Sequence, residues 1–200
     1  MRRIGVILSL LAVTLAPADA QDTTARVRGT IVSFDGNVLT VATATENRRI
    51  TLTDGFRVNS VVKADLSKIV AGSYVGSAAI TQPDGTLRAQ EIHLFPEAMR
   101  GTGEGHRPYD LGAQSTMTNG TVDAMALVES VGGGVLTLKY KDGEKKLIFS
   151  KDTPIVAYEP ADTKVLVPGA HVYIVAQRSP DGALSAARVG VGKNGLVPPM

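Results

Sequence analysis

The sequence predicts an all-β fold, two tandem small five-stranded OB-like barrels joined by an ordered linker, and three observations predict it. The chain repeats itself: Gly29-Thr30-Ile31 returns as Gly120-Thr121-Val122, and Val38-Leu39-Thr40 as Val135-Leu136-Thr137. Asp-Gly steps at Asp35-Gly36, Asp84-Gly85, Asp142-Gly143 and Asp181-Gly182 punctuate both copies as hairpin turns. Between those turns, apolar and polar residues alternate with the period of two that a half-buried strand requires.

The first copy yields five strands in order. Arg26 to Phe34 and Val38 to Thr43 flank the Asp35-Gly36-Asn37 turn. Arg49 to Thr53 follows, with Ile50 and Leu52 alternating against Arg49 and Thr51. Ala64 to Ile69, ended by Gly72, suits a single helical or 3₁₀ turn, and Ala161 to Leu166 before Pro168-Gly169 is its counterpart. Tyr74 to Thr81 and Leu87 to Phe95 complete the set. Three strands, a short helical turn and two strands is the order of an OB-fold. The last strand breaks parity in both copies: Leu87 and Ala89 give way to Ile92 and Leu94, and Leu184 and Ala186 to Val189 and Val191. A β-bulge near Gln90 and another near Ala187 are therefore expected. The repeat offset grows by six residues between Val122 and Val135, around Gly132-Gly133-Gly134, which places an insertion in the first hairpin of the second copy.

The chain opens with Arg2-Arg3, an apolar run from Ile4 to Leu15, and Ala18-Asp19-Ala20. That is the charged, apolar and small-x-small plan of a secretory leader, and the run is too short to span a bilayer. The expected division is a signal peptide at 1–20, a first module at 21–95, a linker at 96–117, a second module at 118–193 and a C-terminal tail at 194–200. No segment after the leader is long and apolar enough to be a transmembrane helix. A periplasmic or secreted location follows, the paired arginines suiting an ordinary leader as well as a twin-arginine one. Intact mass of the exported protein should start at Gln21; a soluble mature form retaining residues 1–20 would defeat this reading.

Composition narrows the function. Loss of Arg2, Arg3 and Asp19 with the leader takes 21 basic and 19 acidic residues to 19 and 18, which is no footprint for nucleic acid. Aromatics at 4% with no Trp give few platforms for stacked bases. There is no Cys, so no disulfide staple and no thiol nucleophile. No Gly-x-Ser-x-Gly elbow occurs, and Gly132-Gly133-Gly134 lacks the Lys and setting of a phosphate loop.

The segment from Pro96 to Met117 is the most unusual stretch, too long for a plain hinge and dense in groups able to pair. Glu104, His106, Arg107, Tyr109 and Asp110 are its candidate ligand- or partner-binding residues, with Arg107 placed to bond Glu104 or Asp110. The same segment also reads as an irregular structural connection. Met99, His106, Met117 and Met125 form a candidate metal set, because thioether and imidazole suit a copper ion, although their spacing matches no compact ligand motif. Glu91 and His93 share a strand face, an arrangement that could orient a general base but reads more commonly as a charged pair on a solvated face; His171 reads as a surface or half-buried strand residue.

The tandem segments of the form RGTIVSFDGNVLTV…GSYVG…PDGTLRAQEIHLFPEAMRGTGEGHRPYD resemble a family of exported bacterial domains of unknown function with OB-like modules. The resemblance covers most of residues 25–193. Members of that family sometimes carry names taken from metal-transporter components, but a permease needs several spanning helices. The reading is a non-enzymatic periplasmic binding or interaction protein, its partner another periplasmic protein or a small ligand, with no cofactor. Periplasmic copper handling is the alternative, and an enzyme built on Glu104, His106, Tyr109 and Asp110 the third.

Overall fold

The computed structural model describes residues 24–128 and 132–200. The leader, its cleavage site and Gln21 lie outside the described residues.

Thirteen strands occur among them, joined in one sheet. They are β1 (Thr24–Asp35), β2 (Val38–Ala42), β3 (Asn47–Lys63), β4 (Tyr74–Thr81), β5 (Leu87–Ala89), β6 (Ile92–Leu94), β7 (Gly105–Pro108), β8 (Ser115–Val128), β9 (Gly133–Tyr140), β10 (Gly143–Ser150), β11 (Ile155–Ala161), β12 (His171–Arg178) and β13 (Leu184–Gly192). The expected helical turns are 3₁₀ turns at Leu66–Lys68 and Thr163–Val165. Asp65 caps the first by accepting from Ser67 N at 2.8 Å, and Asp162 caps the second by accepting from Lys164 N at 2.7 Å. Gly85 and Gly182 turn at φ of 83° and 86°, a conformation that explains the glycine in each Asp-Gly step. None of the described helices is long and apolar enough to cross a membrane.

The sheet contains one closed five-stranded mixed barrel and eight further strands. The barrel draws on both copies. β1, β2 and β3 come from the first, β12 and β13 from the second, and the ring closes through antiparallel β1–β12 and β12–β13 pairs and a parallel β3–β13 pair. Its core interleaves Ile31, Leu39, Val41 and Ile50 with Val172, Ile174, Leu184 and Val189. Conversely, β4 of the first copy pairs with β8 of the second, β5 meets β10, and β6 runs parallel to β11. These strands share a core that includes Val75, Leu87, Ile92, Leu136 and Leu147. The expectation of five strands closing within each copy is thus corrected: the copies exchange their last strands.

The third strand shows how. The sequence reading ended it at Thr53, before Asp54-Gly55, whereas β3 runs on to Lys63. Gly55, at φ 68°, makes a bulge instead of a turn, across which the β13 register jumps from Leu52 to Arg57. Seventeen residues of strand extend about 55 Å. The far end of β3 lies antiparallel to β11, with Val61 opposite Tyr158. At the repeat offset of 97, Val61 and Tyr158 are the same position, so the two copies meet about a pseudo-twofold axis at this pair. The chain leaving β3 is thereby delivered to the other group of strands.

The bulges follow the repeat. β13 shifts register between Ala186 and Arg188, and its counterpart is broken into β5 and β6 around Gln90 and Glu91, where the parity breaks placed them. Register shifts at Ile31/Ser33 in β1 and Val122/Ala124 in β8 also fall at equivalent positions. The six-residue insertion lengthens the β8–β9 hairpin. Residues 194–200 are no loose tail, since Met200 is buried beside Val61 and Val156.

Candidate functional site

Strand alternation puts Val27, Ile174 and Ala176 into the barrel core, which turns their neighbours Arg26, Tyr173, Val175 and Gln177 outward. On the other group, Val75 and Ala79 point to the core and Gly76 and Ala78 outward. The two outward faces do not both meet solvent. They enclose a cavity of about 820 Å³. Thr24, Arg26, Tyr173, Val175 and Gln177 form one wall; His93, Met117, Asn119 and Arg107 belong to the facing wall. Phe95, Met99, Tyr158, the Thr102–Glu104 loop, Tyr109 and residues 185–190 of β13 add to the lining.

Cross-strand registry builds the second wall in rows. His93, Gly76, Asn119 and Gly105 lie side by side across β6, β4, β8 and β7, and Ala78, Met117 and Arg107 occupy the next row. The equivalent of the Gly76–His93 pair on the barrel is the directly paired Tyr173–Gly190. Large and small residues have changed places between the copies. A Cβ at Gly76 would overlap the His93 ring and Asn119 Oδ1, so glycine there is what admits the imidazole. The duplication has thus diverged to present a phenol from one wall and an imidazole from the other.

The Glu91–His93 reading is corrected by burial: Glu91 is fully buried and His93 is 3% exposed. His93 Nδ1 lies 2.9 and 3.1 Å from the two carboxylate oxygens of Glu91. Glu91 Oε1 also accepts from Ala78 N at 2.9 Å, and its carbonyl accepts from Ser77 Oγ at 2.6 Å. The strand break around Gln90 turns the pair onto the outward face, and that face is covered. The His93 ring meets Phe95 edge-on at 4.7 Å, and Phe95 stacks on Tyr158 at 5.4 Å. Nothing in the sequence separated these residues from solvated ones, because an i, i+2 pair has the same pattern on either kind of face.

The linker is a hydrogen-bonded excursion. A 3₁₀ turn at Glu97–Met99 leads to β7, which pairs antiparallel with β8, and Tyr109 N donates to Ser115 O at 2.8 Å. Of the candidates drawn from it, Glu104, Arg107 and Tyr109 line the cavity, while His106 and Asp110 are not among its lining residues. Glu104 Oε1 accepts from Lys141 N at 3.0 Å. His106 Nδ1 is 2.8 Å from Thr118 Oγ1, and burial, with Lys145 and Arg107 nearby, lowers its pKa. Arg107 bonds neither Glu104 nor Asp110 but donates to the Gly103 carbonyl at 2.6 Å. Burial, then the neighbouring Arg26, depresses its pKa. Asp110 receives a bidentate pair from Arg28 of β1 at 2.7 and 2.8 Å; partial burial works against its ionisation, but the guanidinium wins and lowers its pKa. Tyr109 Oη is 2.8 Å from Tyr173 Oη, and burial raises both phenols.

Of the metal candidates, Met99 and Met117 line the cavity, His106 sits at Thr118, and Met125 packs against the core of the second strand group. Among the described residues no group of three or more His, Cys, Asp and Glu is placed to hold a metal ion. His171, half-buried, lies 3.2 Å from Thr30 Oγ1.

Three cations in the cavity stand out. Arg26, Arg107 and Arg188 are half-buried and, among the described residues, none of them takes part in an ion pair. Arg26 lies over the Tyr109 ring, 4.9 Å from its centroid. Comparison with known proteins finds no matching family model, no matching curated protein and no matching solved structure.

Proposed function

We propose that this chain is a non-enzymatic exported binding protein whose ligand is a small organic anion held in the cavity between the two strand groups. The observation that carries this is the set of half-buried guanidiniums, Arg26, Arg107 and Arg188, facing a cavity walled by Tyr109, Tyr158, Tyr173, Phe95, Met99 and Met117. Asp110 lies near enough to Arg26 to feel its charge and Glu104 also lines the cavity, but among the described residues no carboxylate forms an ion pair with these guanidiniums. They remain available to an incoming anion, and aromatic and thioether walls suit an apolar body. Location in the periplasm rests on the leader. The second strand group is read as a second OB-like barrel, supported by pairings that follow the same order as in the first.

Titration with 1-anilinonaphthalene-8-sulfonate, an anionic aromatic probe, tests the site. The probe should bind one site per chain with enhanced emission, and Arg26→Gln or Arg107→Gln should weaken it about ten- to hundredfold, the worth of ~1.5–3 kcal/mol for a hydrogen bond to a charged group. Neutral N-phenyl-1-naphthylamine should be indifferent to both changes. Equal affinity of the sulfonate for wild type and both variants would sink the anion-site reading. The copper alternative keeps Met99 and Met117 in one cavity; elemental analysis of periplasmic material decides it.

A further inference from the structure

Asn119 Oδ1 is a buried side-chain acceptor with no hydrogen-bond partner among the described residues. The residue is 4% exposed, and its amide orientation is set from the other end, where Nδ2 donates to the Thr102 carbonyl at 3.0 Å. Oδ1 therefore lies over Gly76, where a side chain would overlap it. His93 Nε2 flanks the same position, and both residues line the cavity. With Nδ1 against the Glu91 carboxylate, the proton of a neutral imidazole sits on Nδ1 and Nε2 is left as an acceptor. Two acceptors face one space, and an unmet buried acceptor costs ~1–3 kcal/mol.

We infer that this part of the cavity wall is a subsite for a hydrogen-bond donor on the ligand, a hydroxyl or a protonated amine, received by Asn119 Oδ1 and His93 Nε2. The inference rests on the anion-binding reading and completes it. The Arg107 guanidinium and the Asn119 amide both lie 3.1 Å from the position a Cβ on Gly103 would occupy, so the acid group and the donor are held only a few atoms apart. The aromatic wall of Phe95 and Tyr158 adjoins His93. The ligand class is accordingly a small carboxylic acid bearing a hydroxyl or ammonium beside the acid group and an apolar side chain. Amino acids and hydroxy acids share that chemistry.

Three probes differ at a single substituent: L-phenylalanine, 3-phenyllactate and 3-phenylpropionate carry an ammonium, a hydroxyl and a hydrogen next to the carboxylate. Calorimetric titration of the mature protein should show at least one of the first two binding tenfold or more tighter than 3-phenylpropionate, because a site built around buried acceptors rejects the analogue lacking the donor. The preferred one identifies the source, and in Asn119→Leu the preference should fall to near parity. If 3-phenylpropionate binds as well as both others, the donor subsite is overturned while the anion site stands. If none of the three binds, the subsite is overturned, and the sulfonate titration alone decides the anion site. A second readout needs no variant. In the ¹⁵N spectrum of wild-type imidazoles, His93 should show a protonated Nδ1 and an unprotonated Nε2; a proton on Nε2 in the free protein overturns the proposal.

Discussion

A protease site placed in the exposed loop at Gly112–Gln114 and then cut is expected to leave both fragments in one native particle. The cut separates the two copies almost evenly. Were each copy a self-contained barrel, the fragments would drift apart. Here β12 and β13 fill the barrel begun by β1–β3, and β4–β6 join β8, β10 and β11, so separation would open both cores. Each fully buried Val, Leu or Ile contributes ~1.5–3 kcal/mol, and the barrel core alone interleaves many from each fragment. Size-exclusion chromatography at micromolar concentration should show a single peak containing both fragments, released only by denaturant. Two peaks under native conditions would refute the strand exchange.

Glu91→Ala should destabilise the fold by about 3–5 kcal/mol, because it leaves two buried donors unsatisfied at ~1–3 kcal/mol each. The change strips His93 Nδ1 of its acceptor and leaves the Ala78 amide, which Glu91 Oε1 now satisfies at 2.9 Å, without a partner. For a chain of this size that corresponds to a drop of roughly 6–20 °C in Tm, measurable by circular dichroism. Glu91→Gln keeps an oxygen for Ala78 N and should lose much less. A Tm for Glu91→Ala close to wild type would show the pair to be solvated in solution, as its sequence pattern suggested.

The sequence readings that held were local ones. Strand parity located the break at Gln90 and the register shift beside Ala187, because a change of side-chain face within one strand leaves a direct mark on the order of residues. Asp65 and Asp162 announced their 3₁₀ turns through side chains that bond two residues ahead. The linker was legible as an unusual segment, and three of its five candidates, Glu104, Arg107 and Tyr109, do line the cavity. The partners were not legible. Asp110 bonds Arg28, 82 residues away in the chain, and Tyr109 bonds Tyr173, 64 away.

What the sequence determined by itself was the repeat, the turns, the bulges and the alternation of core and outward residues, all fixed by interactions a few positions apart. What only the tertiary structure decided was which copy each strand joins and whether an outward face meets water. The first was ambiguous because equivalent strands offer the same core residues, Val75 for Val172, Leu87 for Leu184 and Ala89 for Ala186, so the period-two pattern fits either partner. The extension of β3 past Gly55 and its pairing with β11 about Val61 and Tyr158 resolved it. The second was invisible because outward residues look the same whether water or another sheet covers them; the exchange sets two outward faces around one cavity, and that is what buried Glu91, His93 and Asn119.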